Sequence, residues 1–308
     1  METLAVVLEA PERLALRALS LTALGAADVL IEVAHSGISS GTEKLLWSGK
    51  MPAFPGMGYP LVPGYESVGR IVDAGVEVRG RIGEWVFVPG ANCYEGARGL
   101  FGGTAQRVVL PSARALPVAE SLGRDGILTA LAATAYHAVV GGKAPDLVIG
   151  HGIVGRLVAR IVVAMGAPAP IVWETNPDRR DATDYAVIDP TADERRDYAT
   201  ICDASGAPDI LDMLVPRLTK GGEIVLAGFY DRLSFAFPPA FMREARMRIS
   251  AEFTPADVTA TNALVASGAL RLDGLISHVR PATEAVDAYP AAFGDPTCLK
   301  MVLDWSHV

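Results

Sequence analysis

Gly150-His151-Gly152-Ile153-Val154-Gly155 directly follows the apolar run Leu147-Val148-Ile149, and Glu174 closes the next apolar run, Pro170-Ile171-Val172-Trp173. Glycines at this spacing, between a buried strand and a helix start, suit the binding of a dinucleotide. Gly150 makes the tight turn, Gly152 lets backbone approach a pyrophosphate, and Gly155 lets the helix pack close to its strand. Free N–H groups at the helix start, around Ile153 and Val154, then hold the phosphates. A carboxylate ending the second strand accepts from the adenosine ribose hydroxyls and repels a 2′-phosphate, so Glu174 favours NAD over NADP. Arg179 and Arg180 lie only a few residues on and are the feature that speaks for NADP; otherwise they open a solvated helix after Asn176-Pro177-Asp178. His151 is expected to face cofactor phosphate or solvent. Further cofactor contacts are expected at strand ends: Asp203, Ala204 and Ser205 near the adenosine, Ala227, Gly228 and Phe229 beside the nicotinamide, with Phe253-Thr254 following. Arg156 and Arg160 share a helix face, where Arg156 reaches for the pyrophosphate or both form an exposed or interdomain pair.

Two kinds of element must carry these residues. The first 120 or so residues hold short β-type runs (4–8, 29–34, 69–73, 85–89 and 105–110) punctuated by Gly and Pro, which predicts a barrel-like all-β unit. From about Leu122 helices (125–140, 154–165, 209–217, 255–267) alternate with strands (147–149, 171–174, 199–203, 223–228), which predicts a parallel doubly wound sheet. Strand-like pieces at 274–279 and 300–304 return to the first domain. The expected domains are 1–122, 123–270 and 271–308.

Composition narrows the function. The chain has 308 residues, 50% of them hydrophobic and 20% charged, and a net charge of −8. That balance fits a compact enzyme and argues against a nucleic-acid partner or an anionic membrane surface. Met1-Glu2-Thr3-Leu4 does not begin a secretory signal, and the longest uncharged run, 127–142, is too short to span a bilayer. A cytoplasmic protein without stable membrane insertion is expected; a homodimer stays open. Cys93, Cys202 and Cys298 are scattered and form neither a disulfide framework nor a zinc cluster.

The order of these parts resembles the medium-chain dehydrogenase/reductase superfamily. Segments 36–43 (SGISSGTE), 62–69 (VPGYESVG), 102–106 (GGTAQ), 134–136 (TAY), 203–206 (DASG), 221–225 (GGEIV) and 276–278 (ISH) carry the resemblance along the whole chain. It implies an α/β fold: a GroES-like β-barrel catalytic domain plus a doubly wound parallel-sheet Rossmann domain. Where zinc-dependent members place three ligands, this chain holds Ser39 or Ser40, Tyr65 and Ala130. A catalytic zinc needs three N, S or O ligands, so zinc-free chemistry with NAD is expected. The whole-chain pattern, including the segment 41–47 and the ending 299–305, is similar to zinc-free members of the bacteriochlorophyll pathway. That similarity implies oxidation of a 1-hydroxyethyl group on a tetrapyrrole, a bacteriochlorophyllide, to acetyl.

Alcohol oxidation without a metal needs a proton acceptor. Tyr65 and Glu66 are candidates, with Ser39, Ser40 or Thr42 relaying the proton outward; equally, Tyr65 fills the vacated metal cavity and Glu66 is structural. His137 is a further catalytic candidate or a satisfied core histidine, and His278 is expected to be structural. Trp47, Met51, Phe54, Met57 and Tyr59 form an apolar loop on which a flat macrocycle can stack, or pack as an ordinary loop. The competing functions are a zinc-free quinone or enone reductase using NAD(P)H, disfavoured by Glu174, and a cofactor-binding sensor without turnover.

Overall fold

The computed structural model describes every residue except Phe54, Thr183 and His307. Its chain folds as two units, Met1–Thr129 with Asp273–Val308, and Ala130–Leu272. The sequence placed the divisions near 122 and 270. The stretch between Glu120 and Leu128 winds as 3-10 turns with Gly123 at φ +49, so the expected helix begins only at Thr129.

The first unit opens with β1 (Glu2–Ala10), β2 (Arg13–Ser20), β3 (Asp28–Ile38), the short helix α1 (Thr42–Trp47), β4 (Leu61–Val62), β5 (Ser67–Ala74), β6 (Trp85–Val88), β7 (Arg98–Gly99), β8 (Arg107–Pro111) and β9 (Leu116–Pro117). β1 and β2 form a hairpin within a four-stranded sheet, β2-β1-β4-β7. The larger sheet is built on β3, which pairs antiparallel with both β5 and β8. Val29, Leu30, Ile31 and Val33 are all buried in the core with Val108 and Ile71, and in the run 29–33 only Glu32 faces outward.

The second unit contains α2 (Thr129–Val140, except its first residue), β10 (Leu147–Ile149), α3 (Ile153–Ala164), β11 (Ile171–Trp173), β12 (Ala186–Ile188), β13 (Tyr198–Asp203), α4 (Leu211–Leu214), β14 (Leu218–Leu226), α5 (Phe237–Arg243), β15 (Arg246–Ile249) and α6 (Pro255–Ala266). Its six strands are all parallel, in the order β12-β11-β10-β13-β14-β15. The direction of winding therefore reverses between β10 and β13, the place where such sheets bind ligands beyond their carboxyl ends. β12 and β15 escape the sequence pattern because both are short edge strands, and β15 is half arginine, as an exposed edge favours. Arg179 and Arg180 do not open an α-helix: Asn176 caps a single 3-10 turn, Pro177–Arg179. The expected helix at 209–217 is one α-turn continued as a 3-10 turn through Pro216.

The chain then returns to the first unit through β16 (His278–Pro281), α7 (Ala285–Gly294) and β17 (Met301–Asp304). β17 lies between β16 and β3, antiparallel to the latter with Met301 opposite Ile38. The expected strand at 274–279 starts late because Gly274 turns at φ +73. Ser277 instead uses its hydroxyl to accept from the Leu299 and Lys300 N–H groups.

Candidate active site

In the first unit, β3 ends at Ile38 and runs straight into Ser39 and α1, while the turn after β4 delivers Tyr65. That turn needs glycine: Gly64 has φ +96, and a Cβ there would sit 2.0 Å from Thr104 Oγ1. Tyr65 donates its phenol proton to Ser39 Oγ at 2.7 Å and lies 3.4 Å from Thr42 Oγ1. Three of the hydroxyl residues singled out from sequence therefore meet. Ser40 does not join them and faces solvent. Burial, helped by the nearby Glu66 and Glu43 carboxylates and opposed by its bonds to Ser39 and Thr42, drives the Tyr65 phenol far above its ordinary range. Tyr65 is thus a neutral phenol at any working pH.

Beneath it lies a charged cluster. Glu66 is fully buried and ion-paired with Lys300, itself 3% exposed. Of the two readings of Glu66, proton acceptor or structural residue, the buried ion pair with Lys300 favours the structural one. Gly37 makes room for the pair, since a Cβ there would stand 2.6 Å from Glu66 Oε2 and 3.0 Å from Lys300 Cε. The β17–β3 register, carried one residue past Met301 and Ile38, sets Lys300 level with Ser39.

Glu43, also fully buried, accepts from Ser39 N–H at 3.0 Å and from the Tyr289 hydroxyl at 2.7 Å. It thereby fixes the backbone that presents Ser39 to Tyr65. Glu43, Tyr289 and Lys300 carry no local signature in the sequence.

Burial pushes the Glu43 carboxyl up from 4.5 to about 7; Tyr289, Ser39 and Lys300 pull against this and Glu66 adds to it. The folded state then holds a proton that the unfolded chain gives up near pH 4.5, so more protons are bound folded than unfolded between the two values. Stability from this group is present below pH 4.5 and is lost as pH rises through about 7, an effect of about 3 kcal/mol. Urea unfolding across that window should show the decline, and Glu43→Gln should flatten it. An unchanged slope in the variant would mean that Glu43 does not titrate there.

The loop residues Trp47, Met51, Met57 and Tyr59 pack on a small apolar cluster of Leu8, Leu46, Leu61 and Leu100, joined by Phe101. Tyr59 donates to the Leu46 carbonyl, so its polar end is occupied. Phe54 lies outside the described residues.

In the second unit the glycine turn has the shape its sequence predicts. Gly150 takes φ +87, and a Cβ on Gly155 would fall 1.8 Å from Gly150 O, so α3 can begin this close to β10 only with glycine there. Over Gly152 a Cβ would meet nothing within 4 Å. Open space above backbone N–H groups at the start of α3, around Ile153 and Val154, fits a pyrophosphate. Glu174 accepts from His151 N–H at 3.0 Å and from Asn176 N–H at 2.8 Å, which fixes its carboxylate beside the turn. Across the switch point Asp203, fully buried, accepts from Ser205 N–H and Oγ and from Tyr230. Ala204 N–H bonds Ile149 O, Ala227 and Gly228 N–H both bond Asp203 O, and Phe229 is 59% exposed. Asp203 therefore shapes the rim of the cradle with its side chain inward.

Three polar side chains differ from expectation. His151 is fully buried; its ring turns away from the cradle, between the Arg179 carbonyl and the Tyr185 hydroxyl. A carbonyl can only accept, so Nδ1 carries the proton and Nε2 accepts from Tyr185. Burial, against the pull of the Arg179 carbonyl, lowers the pKa of His151. Arg156 neither reaches for phosphate nor lies exposed: it is 6% exposed, paired with Asp181 at 2.6 Å, and donates to the carbonyls of His151 and Arg179. The two side chains brace the 179–185 loop against the turn. His137 bonds Asp257 at 2.9 Å, the residue that completes the capping box of α6, which favours the satisfied histidine of its two readings.

Among the described residues no group of three His, Cys, Asp or Glu side chains is arranged to hold a metal ion, and all three cysteines are buried and outside any disulfide. No helix among them is long and apolar enough to cross a membrane.

Comparison with known proteins follows the same division. The GroES-like domain of alcohol dehydrogenases matches residues 25–120. Over 99% of both chains the sequence is 56% identical to a 2-desacetyl-2-hydroxyethyl bacteriochlorophyllide A dehydrogenase of Rhodobacter capsulatus. It is 54% identical, again over 99% of each, to the protein of that name in Cereibacter sphaeroides. The fold is shared with an E. coli CFT073 alcohol dehydrogenase in complex with NADH (TM-score 0.85, 20% identity, 99% of both chains). It is shared equally with 2R,3R-butanediol dehydrogenase from Bacillus subtilis (TM-score 0.85, 19% identity, 98% and 99% of the two chains).

Proposed function

The chain belongs to the 2-desacetyl-2-hydroxyethyl bacteriochlorophyllide A dehydrogenase family of GroES-like alcohol dehydrogenases, and from that premise we propose how it oxidises a hydroxyethyl bacteriochlorophyllide to the acetyl product. The observation that carries the reaction is identity above one half along the entire chain to two dehydrogenases of that name.

A bound nicotinamide dinucleotide supplies the acceptor for the hydride leaving the carbinol carbon. The glycine turn and the start of α3 hold its pyrophosphate, and Glu174 receives the adenosine ribose. NAD is the form that suits these residues. Glu174 presents negative charge where a 2′-phosphate would lie, and Arg180 is drawn off by Asp189 and by the carbonyls of Glu174 and Thr175.

Tyr65 accepts the hydroxyl proton of the alcohol on its oxygen while its own proton shifts to Ser39 Oγ, 2.7 Å away, and Ser39 in turn releases its hydroxyl proton to solvent. Being a neutral phenol, it works as a relay and not as a tyrosinate base. Glu43 positions Ser39 for that transfer, and Thr42 offers a second acceptor. The chemistry proceeds without zinc: the positions matched to metal ligands offer hydroxyls and a methyl group, a poor donor set for that ion.

The reaction is tested with purified protein, NAD and hydroxyethyl-bacteriochlorophyllide by following the absorption of the acetyl product. Tyr65→Phe is expected to lower kcat about a hundredfold with little change in KM. Unchanged turnover in that variant would remove the tyrosine from the mechanism. Turnover of quinones with NADPH, and none of the pigment, would sink the reaction itself.

A further inference from the structure

Arg98 stands at the start of β7, exposed, at the edge of a cavity of about 180 Å³ that it lines with Gly56, Asn92, Gly99 and Leu100. Its Nη1 donates to the Met57 carbonyl at 2.8 Å, and the bare α-carbon of Gly58 leaves the guanidinium room to lie across the loop. Among the described residues no carboxylate pairs with it, in a chain of 35 acidic residues where Arg81, Arg156 and Arg180 each hold one. Asn92 faces the same cavity. Its Oδ1 accepts from Gly99 N–H at 3.2 Å, which commits the oxygen and leaves the amide N–H₂ to donate elsewhere. The cavity thus offers the remaining guanidinium donors of Arg98 and an amide donor with no carboxylate beside them, the complement of a carboxylate.

Its position fits one end of a wide substrate. Phe101, three residues after Arg98, lies edge-on to the Tyr65 ring with centroids 5.0 Å apart, and three residues span at most about 10 Å. Met57, Leu100 and Phe101 supply apolar surface along the way. The volume is too small for a macrocycle but sufficient for a short acid side chain.

We infer that Arg98 and Asn92 form a subsite for the propionate carboxylate of the substrate, the group whose freedom distinguishes a bacteriochlorophyllide from its esters. The inference rests on the proposed reaction for the identity of the ligand. Arg98 then makes the enzyme specific for the free acid, so esterification of the pigment must follow this oxidation and not precede it.

The test measures fluorescence-quench binding and NAD-dependent turnover of the free acid and of its methyl ester. Wild-type protein should bind the acid about tenfold more tightly than the ester, with the margin shrinking as salt is raised. Arg98→Gln should bind the two alike and keep its kcat on saturating acid. Arg98→Lys, which keeps the charge and controls for folding, should retain part of the preference. Equal affinities in the wild type, or an acid preference undiminished in Arg98→Gln, would overturn the subsite. Arginine-dependent acid binding without acetyl product would instead overturn the reaction and leave the subsite standing.

Discussion

Lys300→Met is expected to lower the unfolding free energy by about 3–5 kcal/mol, the cost of leaving a fully buried carboxylate without its counter-ion. Glu66 is 0% exposed and Glu43 likewise, so neither can turn to water when the ammonium is removed. The loss should also deepen with pH. Lys300 holds the Glu43 carboxyl down, so without it that group keeps its proton to still higher pH and costs more once charged. Adding Glu66→Gln to Lys300→Met should restore most of the stability, because the pair is then replaced by neutral groups of similar shape. Urea midpoints at constant m value measure all three proteins. A deficit below about 1 kcal/mol in the single variant would show that solvent reaches the cluster after all.

Gly155→Ala should damage the second unit at least as severely as its cofactor site. Its new Cβ would fall 1.8 Å from Gly150 O, a backbone atom, so α3 must slide away from β10. Overpacking of this kind costs about 3 kcal/mol, and a displacement near 1 Å at the phosphate cradle lowers turnover about a hundredfold. Gly152→Ala supplies the contrast. Its Cβ meets no protein atom within 4 Å, so the melting temperature should hold while NAD affinity falls. If Gly152→Ala left NAD affinity intact, the pyrophosphate would have to lie elsewhere.

The two glycines also show what the sequence could and could not convey. The cradle was legible because its parts are neighbours in the chain: a strand, a turn and a helix start within about ten residues, each with a steric requirement that only certain residue types meet. The hydroxyl cluster was half legible. Ser39, Thr42 and Tyr65 come from two segments of the resemblance, but the carboxylate that sets Ser39 in place is finished by Tyr289, 246 residues away. Nothing local in the sequence announces such a contact. His151 and Arg156 failed for a different reason: their positions beside the phosphate site suggested anion contacts, whereas burial and the carbonyls of the following loop claimed both side chains. Sequence distance from a site says where a backbone is, and packing decides where the side chain goes.

The arrangement of β17 bears on how the protein is made. β3 and the carboxylates of Glu43 and Glu66 leave the ribosome well before β17, Lys300 and Trp305, whose indole bonds Ser36. At the usual rate of translation the interval is roughly ten to fifty seconds. During it the nascent β-unit has an unpaired sheet edge on β3 and two acids with nothing to neutralise them, while the parallel-sheet unit emerges and can fold on its own contacts. The hydroxyl and carboxylate cluster thus closes only once Lys300 has been made, and a chain that stalls short of Lys300 exposes the edge most prone to pair with another chain.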